Sequence, residues 1–576
     1  MKKRLRIILF CLFAVSFGVS GSAVLAHPSV SISGVSKNDN LYQWLDDTIL
    51  DRFNAHGVTE DGVYTGIEAE TKKALRAKGY YDADVSFVEG KKPVLDIKTG
   101  KPYTISEINI EGIDGVTMRQ LKTGERLDAT SVLQAQRLLG EDIEADFCPY
   151  RLELSHEVIL DHQARSGSVT FIVDYDSEAR FGQTRFEGAP DIKGKYLERF
   201  IRYEQGDCWS YNKIEKTKTA LLETGLLSVA RDVLPDSPDA DGTVDVVFDL
   251  KERASRTVRL GASYYTDEGP GILAEWVHRN FFGAGERVSS RLKANFLEQS
   301  LKNDFSKPYF WGENRTLNIS NRLGRVDSDA YVEDSLSASI NLENKFHSYL
   351  KGSLGFAVEA TSITDKNTDD ETTFGLFSTP VRLTYDNRKN PLDPHDGWHI
   401  QARGEPFFDA LGEADPFVKT SLTASTYLDL KKEDEGDLVL ALRGRLGGLL
   451  GSDTAGTPAS KRFYAGGGGS IRGFGYQEAG PEVNGEPAGG RSVVETSVEL
   501  RFKVTENMGG AVFVDGGGAY DAAFPDFKEG YYIGAGAGFR YYTAFGPLRV
   551  DLAVPVNKRD QADSAYQFYI SIGQAF

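Results

Sequence analysis

The side chains of this 576-residue chain that are best placed to do chemistry are charged rather than nucleophilic. The stretch YAGGGGSIRGFGY, Tyr464 to Tyr476, sets one permanent cation, Arg472, between Ile471 and Gly473-Phe474, behind four glycines, Gly466 to Gly469. A guanidinium is a planar fork of donors that can grip one carboxylate through two hydrogen bonds and reach a second. On a solvated loop Ile471 and Phe474 would be wasted. A loop folded into an enclosure buries them, and Arg472 then needs acidic partners, because an unpaired buried charge is costly. The chemistry implied is a non-covalent lock. Bond-making chemistry has less support. No G-x-S-x-G elbow lies beyond the first residues, and there is no G-x-x-x-x-G-K-[ST] loop. His395 and His399 in HDGWH sit in a turn-like stretch with no third metal ligand evident.

Alternation along neighbouring strands names the partners. In SVVETSVELRF, Val494, Thr496, Val498, Leu500 and Phe502 take one face, and Glu495, Ser497, Glu499 and Arg501 take the other. In AVFVDGGG, Val512 and Val514 face outward, which turns Asp515 inward. In YYIGAGAGFRYY the inward residues are Tyr532, Gly534, Gly536, Gly538 and Arg540, and the glycines leave a recessed wall for a loop. The expected lock is Arg472 on Asp515 with Glu499 nearby. Ile471, Gly473 and Phe474 flank it, and Gly466, Gly467, Gly468 and Gly469 bend the backbone.

These strands belong to a long β-region, residues 255–576. TVRLGASYY and GPLRVDLAVPV alternate apolar with polar or small residues in the same way, between turns rich in Gly, Asn and Asp. Apolar outside and charged inside is the pattern of a transmembrane β-barrel. At about 20 residues per strand and connection the region supplies about sixteen strands, which makes the Arg472 connection the sixth outer loop. Aromatic groups such as Phe281-Phe282, Tyr309-Phe310-Trp311 and Tyr541-Tyr542 suit interfacial girdles. The last strand, AYQFYISIGQAF, sets Tyr566, Phe568, Ile570, Ile572 and Phe576 on one face, and Gly573 weakens its pairing.

The first half repeats. VSISG, INIEG and TRFEG end at Gly34, Gly112 and Gly188, which are 78 and 76 residues apart. VLDI, FIVDY and VVFDL carry Asp96, Asp174 and Asp249, 78 and 75 apart. Two registers with one period mark a tandem array of modules, 28–102, 103–178 and 179–254. Each reads as strand, two helices, two strands. Gly79 and Gly225 suit helix C-caps, whereas the middle helix stops at Cys148-Pro149.

Residues 1–26 read as a secretory signal, with a basic start, an apolar middle and small residues up to Ala26. The formal charge is −18 and deepens when that segment's four basic residues leave, which argues against a nucleic-acid partner. Cys148 and Cys208 remain in an exported, oxidising setting. They are open to a disulfide or to two buried thiols.

The modules resemble the POTRA domain of periplasmic arms, whose strand edges pair with passing polypeptide. SIRGFGY resembles the (V/I)RG(F/Y) signature of the BamA/TamA superfamily of outer-membrane protein assembly factors, and FVDGG its paired inner-wall motif. The terminal aromatic strand, Phe568, Ile570, Ile572 and Phe576, resembles the recognition signal of outer-membrane barrels. Three modules are most similar to the TamA branch. The central assembly subunit usually has five, and two-partner secretion transporters two. The resemblance implies an α+β arm (βααββ modules) and a 16-stranded outer-membrane barrel, with the arm in the periplasm. It also implies a non-enzymatic insertase for autotransporters and other outer-membrane or surface proteins. The expected route is a seam between first and last strands at Gly573, with no cofactor or metal. A TamB-like inner-membrane-anchored protein and outer-membrane lipid are the implied partners. A two-partner secretion transporter or a BamA-like subunit is the alternative within the family, and a passive porin or an outer-membrane hydrolase outside it.

Overall fold

A computed structural model describes residues 30–36, 40–47, 66–88, 93–266, 268–431, 436–543, 546–559 and 563–572. The signal segment, Gly573 and Phe576 lie outside the described residues. Compactness divides the chain into two units, residues 1–185, 202–215 and 233–246 in one and 186–201, 216–232 and 247–576 in the other.

Three small sheets make up the modules. In the first, Ser31–Ser33 pairs in parallel with Val94–Lys98, which also pairs with Asp84–Val88. The second places Ser166–Tyr175 between Thr104–Glu111 and Leu152–Asp161. The third places Thr243–Glu252 between Arg180–Glu187 and Leu227–Val233. The repeated glycines share one physical cause. Gly34, Gly112 and Gly188 all have positive φ, and a Cβ on each would lie about 2 Å from the carbonyl oxygen of Ile97, Val173 or Leu250 respectively. Those acceptors adjoin Asp96, Asp174 and Asp249, so the two sequence registers are two sides of one backbone crossing.

The middle module departs from the two-helix pattern. Residues 112–128 form bends, one turn and irregular chain with an isolated bridge at Arg126, and Ala129–Phe147 is the module's one helix among the described residues. Gly112, Gly115 and Gly124 all take positive φ, which breaks a helix. Asp128 caps the helix that does form by accepting from the Thr130 N–H at 2.8 Å. At the other end Cys148 itself adopts the left-handed conformation, φ 48°, in place of a capping glycine. It is joined by a disulfide to Cys208 in the third module. Trp209 beside it is buried, stacks near Tyr150 and Phe181, and donates from Nε1 to the Tyr150 carbonyl at 3.1 Å.

The remainder is a closed antiparallel barrel. We number its strands β1 (Arg256–Tyr265), β2 (Gly269–His278), β3 (Arg287–Ala294), β4 (Glu298–Pro308), β5 (Arg315–Asp327), β6 (Tyr331–His347) and β7 (Leu350–Asp365). Next come β8 (Asp370–Ser378 with Val381–Asp386), β9 (Gly397–Asp409), β10 (Phe417–Asp429) and β11 (Leu438–Leu450). The last five are β12 (Ser492–Thr505), β13 (Met508–Tyr520), β14 (Tyr532–Thr543), β15 (Gly546–Pro555) and β16 (Gln567–Ile572). β8 is interrupted at Thr379-Pro380, where proline cannot donate to the ladder, yet both its parts pair with β7 and β9. Sixteen strands therefore close the ring. Outward apolar residues such as Leu260, Leu323 and Leu354 are exposed, whereas inward Glu275, Glu333, Asp515 and Asp551 are buried. The barrel is inside-out relative to a soluble protein, as a lipid-facing wall requires. Among the described residues no helix is long and apolar enough to cross a membrane.

Candidate functional site: a loop lock beside a short seam

The connection after β11, residues 451–491, is the sixth at the end of the barrel far from the start of β1. Its tip is a tight hairpin. The Gly467 N–H donates to the Phe474 carbonyl at 3.1 Å, and the Gly466 N–H to Ser470 Oγ at 3.0 Å. Gly466, Gly467 and Gly473 have positive φ. Gly468 has a different role, because a Cβ there would come within 2.9 Å of the Tyr569 ring. Gly469 accepts from Arg443 Nη1 through its carbonyl at 2.9 Å. Ile471 and Phe474 are fully buried in an apolar cluster with Phe417, Leu449, Phe463, Val493 and Tyr532.

Arg472 is 2% exposed. Its Nε donates to Asp515 Oδ2 at 2.7 Å and its Nη2 to Asp515 Oδ1 at 3.0 Å, a bidentate grip, and its backbone N–H reaches the same Oδ2 at 3.1 Å. Nη1 donates to Glu499 Oε2 at 2.7 Å and to Asp551 Oδ2 at 3.2 Å. The guanidinium carbon lies 3.3 Å from the centre of the Phe513 ring. Three further arginines complete the network. Arg501 bonds Glu499 at 2.7 Å, Arg540 bonds Asp551, and Arg549 lies 3.5 Å from Asp551. Ser497 Oγ donates to Asp515. Four cations and three carboxylates thus share an enclosed volume, and Arg472 contacts all three carboxylates. The glycine wall of β14 makes the approach sterically feasible. A Cβ on Gly534 would sit 1.8 Å from the Arg472 carbonyl oxygen, and one on Gly538 1.9 Å from Asp551 Oδ1.

Two features escape the strand-by-strand reading. Asp551 on β15 is the third carboxylate. Alternation turns it inward, but only barrel closure brings it to Arg472. The loop also has a second anchor, on β6 and β7. Lys461 pairs with Glu359 at 2.5 Å and Arg462 Nη1 with Asp365 at 2.9 Å, while Ala459 packs with Tyr331, Ile363 and Phe374. The loop therefore runs across the lumen between two walls.

The lock also touches the seam. The Gly473 N–H donates to the Tyr569 hydroxyl at 3.2 Å. Tyr569 is buried on β16, pairs in register with Tyr265 of β1, and meets its ring edge-on at 5.6 Å. Among the described residues β16 and β1 share two register pairs, Tyr264↔Ile570 and Tyr265↔Tyr569, whereas β1 pairs with β2 along its whole length from Arg256 to Tyr265. Thr266 adds a backbone bond to the Phe568 carbonyl at 3.1 Å. Phe568, Ile570 and Ile572 alternate with the buried Gln567 and Tyr569. His395 and His399 are not brought together. His395 lies 3.3 Å from Asp393, His399 stands opposite Asp386 on β8, and no cluster of metal-ligating side chains occurs among the described residues.

A closed sixteen-stranded barrel with modular α+β units before it, and a long inward loop pinned by a buried arginine, define a membrane-spanning barrel of the outer-membrane class. Residues 280–576 match the Omp85 superfamily domain, and residues 179–253 match the POTRA model, described as a surface antigen variable number repeat. The chain belongs to the Omp85 superfamily, with its barrel in the outer membrane and its POTRA arm in the periplasm. It is 22% identical over 555 residues to outer membrane protein assembly factor BamA of Nitratidesulfovibrio vulgaris, covering 91% of this chain and 69% of that protein. It is 21% identical over 578 residues to BamA of Neisseria meningitidis, covering 86% and 71%. The crystal structure of BamA from Haemophilus ducreyi lacking POTRA domains 1–3 superposes with a TM-score of 0.68 at 20% identity, covering 82% of this chain and all of that one.

Proposed function

We propose that this protein assists the insertion and folding of other outer-membrane proteins, and that the β1–β16 seam is where a client strand is captured. The observation that carries the reading is Tyr569, which is at once a seam residue, through Tyr265, and a lock residue, through Gly473. In lipid an unpaired strand edge costs several kcal/mol for each unmet backbone group. A junction with two register pairs among the described residues is a favourable place in the ring to open, and a client strand that pairs there recovers those bonds. No nucleotide is needed, since the free energy of client folding drives the exchange. The lock holds β12, β13 and β15 in register, and so defines the fixed edge against which β16 moves.

Autotransporters are the client class that three modules favour, with a TamB-like periplasmic partner at the first module. The names of the curated relatives favour general barrel assembly instead. A photo-crosslinking residue at Ser263 or Ser571 tests the shared core of both readings. Newly exported outer-membrane proteins should form adducts there, and much less from the same residue placed at Ser339 on β6. Equal adduct yields at the seam and at β6 would overturn the proposal, and the identity of the adducts decides between the client classes.

A further inference from the structure

The lumen holds a second group of charges that the lock does not use. A cavity of about 840 Å³ is lined by residues from β2 to β11 and by the loop near Lys461. Nine cations and five carboxylates face it, an excess of positive charge in a chain whose formal charge is −18. Each of the five carboxylates already lies within ion-pair distance of a cation other than Arg287, Arg382 or Lys419.

The imbalance is sharpest where β8, β9 and β10 meet. Arg382 on β8 and Arg403 on β9 stand directly opposite each other in the ladder. Like charges in directly opposed positions destabilise a sheet. Lys419 on β10 stands opposite Glu405 on β9. Glu343 on β6 lines the same cavity but is paired with Lys351 at 3.6 Å, so Glu405 is the carboxylate in direct contact with this patch. It is buried, and it accepts from Arg403 at 2.6 Å and from Ser378 Oγ at 2.8 Å. Lys419 Nζ donates to the Lys461 carbonyl at 2.7 Å, and Arg382 has no carboxylate within 4.0 Å among the described residues. The two opposed arginines thus outnumber the carboxylate between them, which leaves positive charge on adjacent strands that cannot move apart.

We propose that Arg382, Arg403 and Lys419 form a luminal binding site for a phosphate-class oxyanion. An oxyanion balances the remaining positive charge. Its oxygens match the guanidinium fork, with Lys419 as a third, point-like donor. A bound anion also removes the repulsion between the two opposed arginines, so the site has a reason to exist in the closed barrel. The ligand has two possible sources, free inorganic phosphate and the phosphomonoester headgroup of a lipid.

The test uses the full detergent-solubilised chain in calorimetric titration at low ionic strength, where screening is weak. One arm adds inorganic phosphate, and the other adds short-chain phosphatidic acid below its micellar concentration. Saturable binding in either arm is expected, weakened at least tenfold in Arg382→Gln. It should change less than twofold in Arg322→Gln, which lines the same cavity but is paired with Glu298 at 3.1 Å. Phosphatidic acid binding at least tenfold more tightly than phosphate identifies a headgroup, and any smaller preference identifies the free ion. If Arg382→Gln fails to give a heat-modifiable barrel, Arg403→Gln takes its place. No saturable binding in either arm, or equal losses in the Arg322 and Arg382 variants, would overturn the proposal by reducing the patch to diffuse attraction.

Discussion

The β6–β7 wall and the β16–β1 seam are parts of one ring and are built in opposite ways. β6 and β7 are its longest strands, paired from Tyr331↔Asp365 to His347↔Leu350, and they carry their own anchor for the long loop. Among the described residues the seam has two register pairs and a few bonds from Thr266. Between β6 and β7 the ladder runs the length of both strands, whereas in the described part of the seam the Tyr265–Tyr569 ring contact and the Gly473 hydrogen bond to Tyr569 add to it.

The comparison breaks most severely at Arg472. Arg472→Ala leaves Asp515 without a cation among the described residues and weakens the pairing of Glu499 and Asp551, at a cost of about 3–5 kcal/mol for a broken buried pair. The variant should still reach the outer membrane, while assembled client falls about tenfold or more on immunoblots of outer-membrane fractions. Normal client levels would refute the lock's role. The second anchor is more exposed and should matter less. Asp365→Ala or Arg462→Ala removes a part-buried pair worth about 1–2 kcal/mol. Both should raise the single-channel conductance of the barrel in planar bilayers while client assembly stays near the wild-type level. A client defect as deep as that of Arg472→Ala would mean that both walls serve closure. The smallest change sharpens the comparison. Tyr569→Phe keeps the ring and deletes one hydrogen bond, about 1 kcal/mol. Amides of β1 should then exchange with solvent a few times faster in hydrogen-exchange mass spectrometry, with β6 unchanged. Equal acceleration in β6 would place the effect on the whole barrel.

The parts of this site that depend on local periodicity are readable from residues alone. Strict alternation in β12 and β13 sets the parity of Glu499 and Asp515, and glycine at every second position of β14 announces a close approach. The parts that depend on closing the ring are not. Asp551 is one of several inward charges on its strand, and only strand tilt and stagger decide which of them meets Arg472. The Lys461–Arg462 anchor lies ten residues before Arg472, counted from Arg462, and pairs with β7, about a hundred residues earlier. No local pattern reports such a distance. The missing helix of the middle module shows the limit of repeat logic. The period marks equivalent strands faithfully, but Gly112, Gly115 and Gly124 change what lies between them.

The loop segment pinned at Lys461–Arg462 and at Arg472 behaves mechanically as a tie-rod laid along a chord of the barrel. A ring free to deform would spread any local opening around its whole circumference. With the distance between the β6–β7 and β12–β15 sectors held constant, that relaxation is blocked, and shape change is confined to the arcs on either side of the chord. One of those arcs contains the seam, so an opening there would deform one arc rather than all sixteen strands.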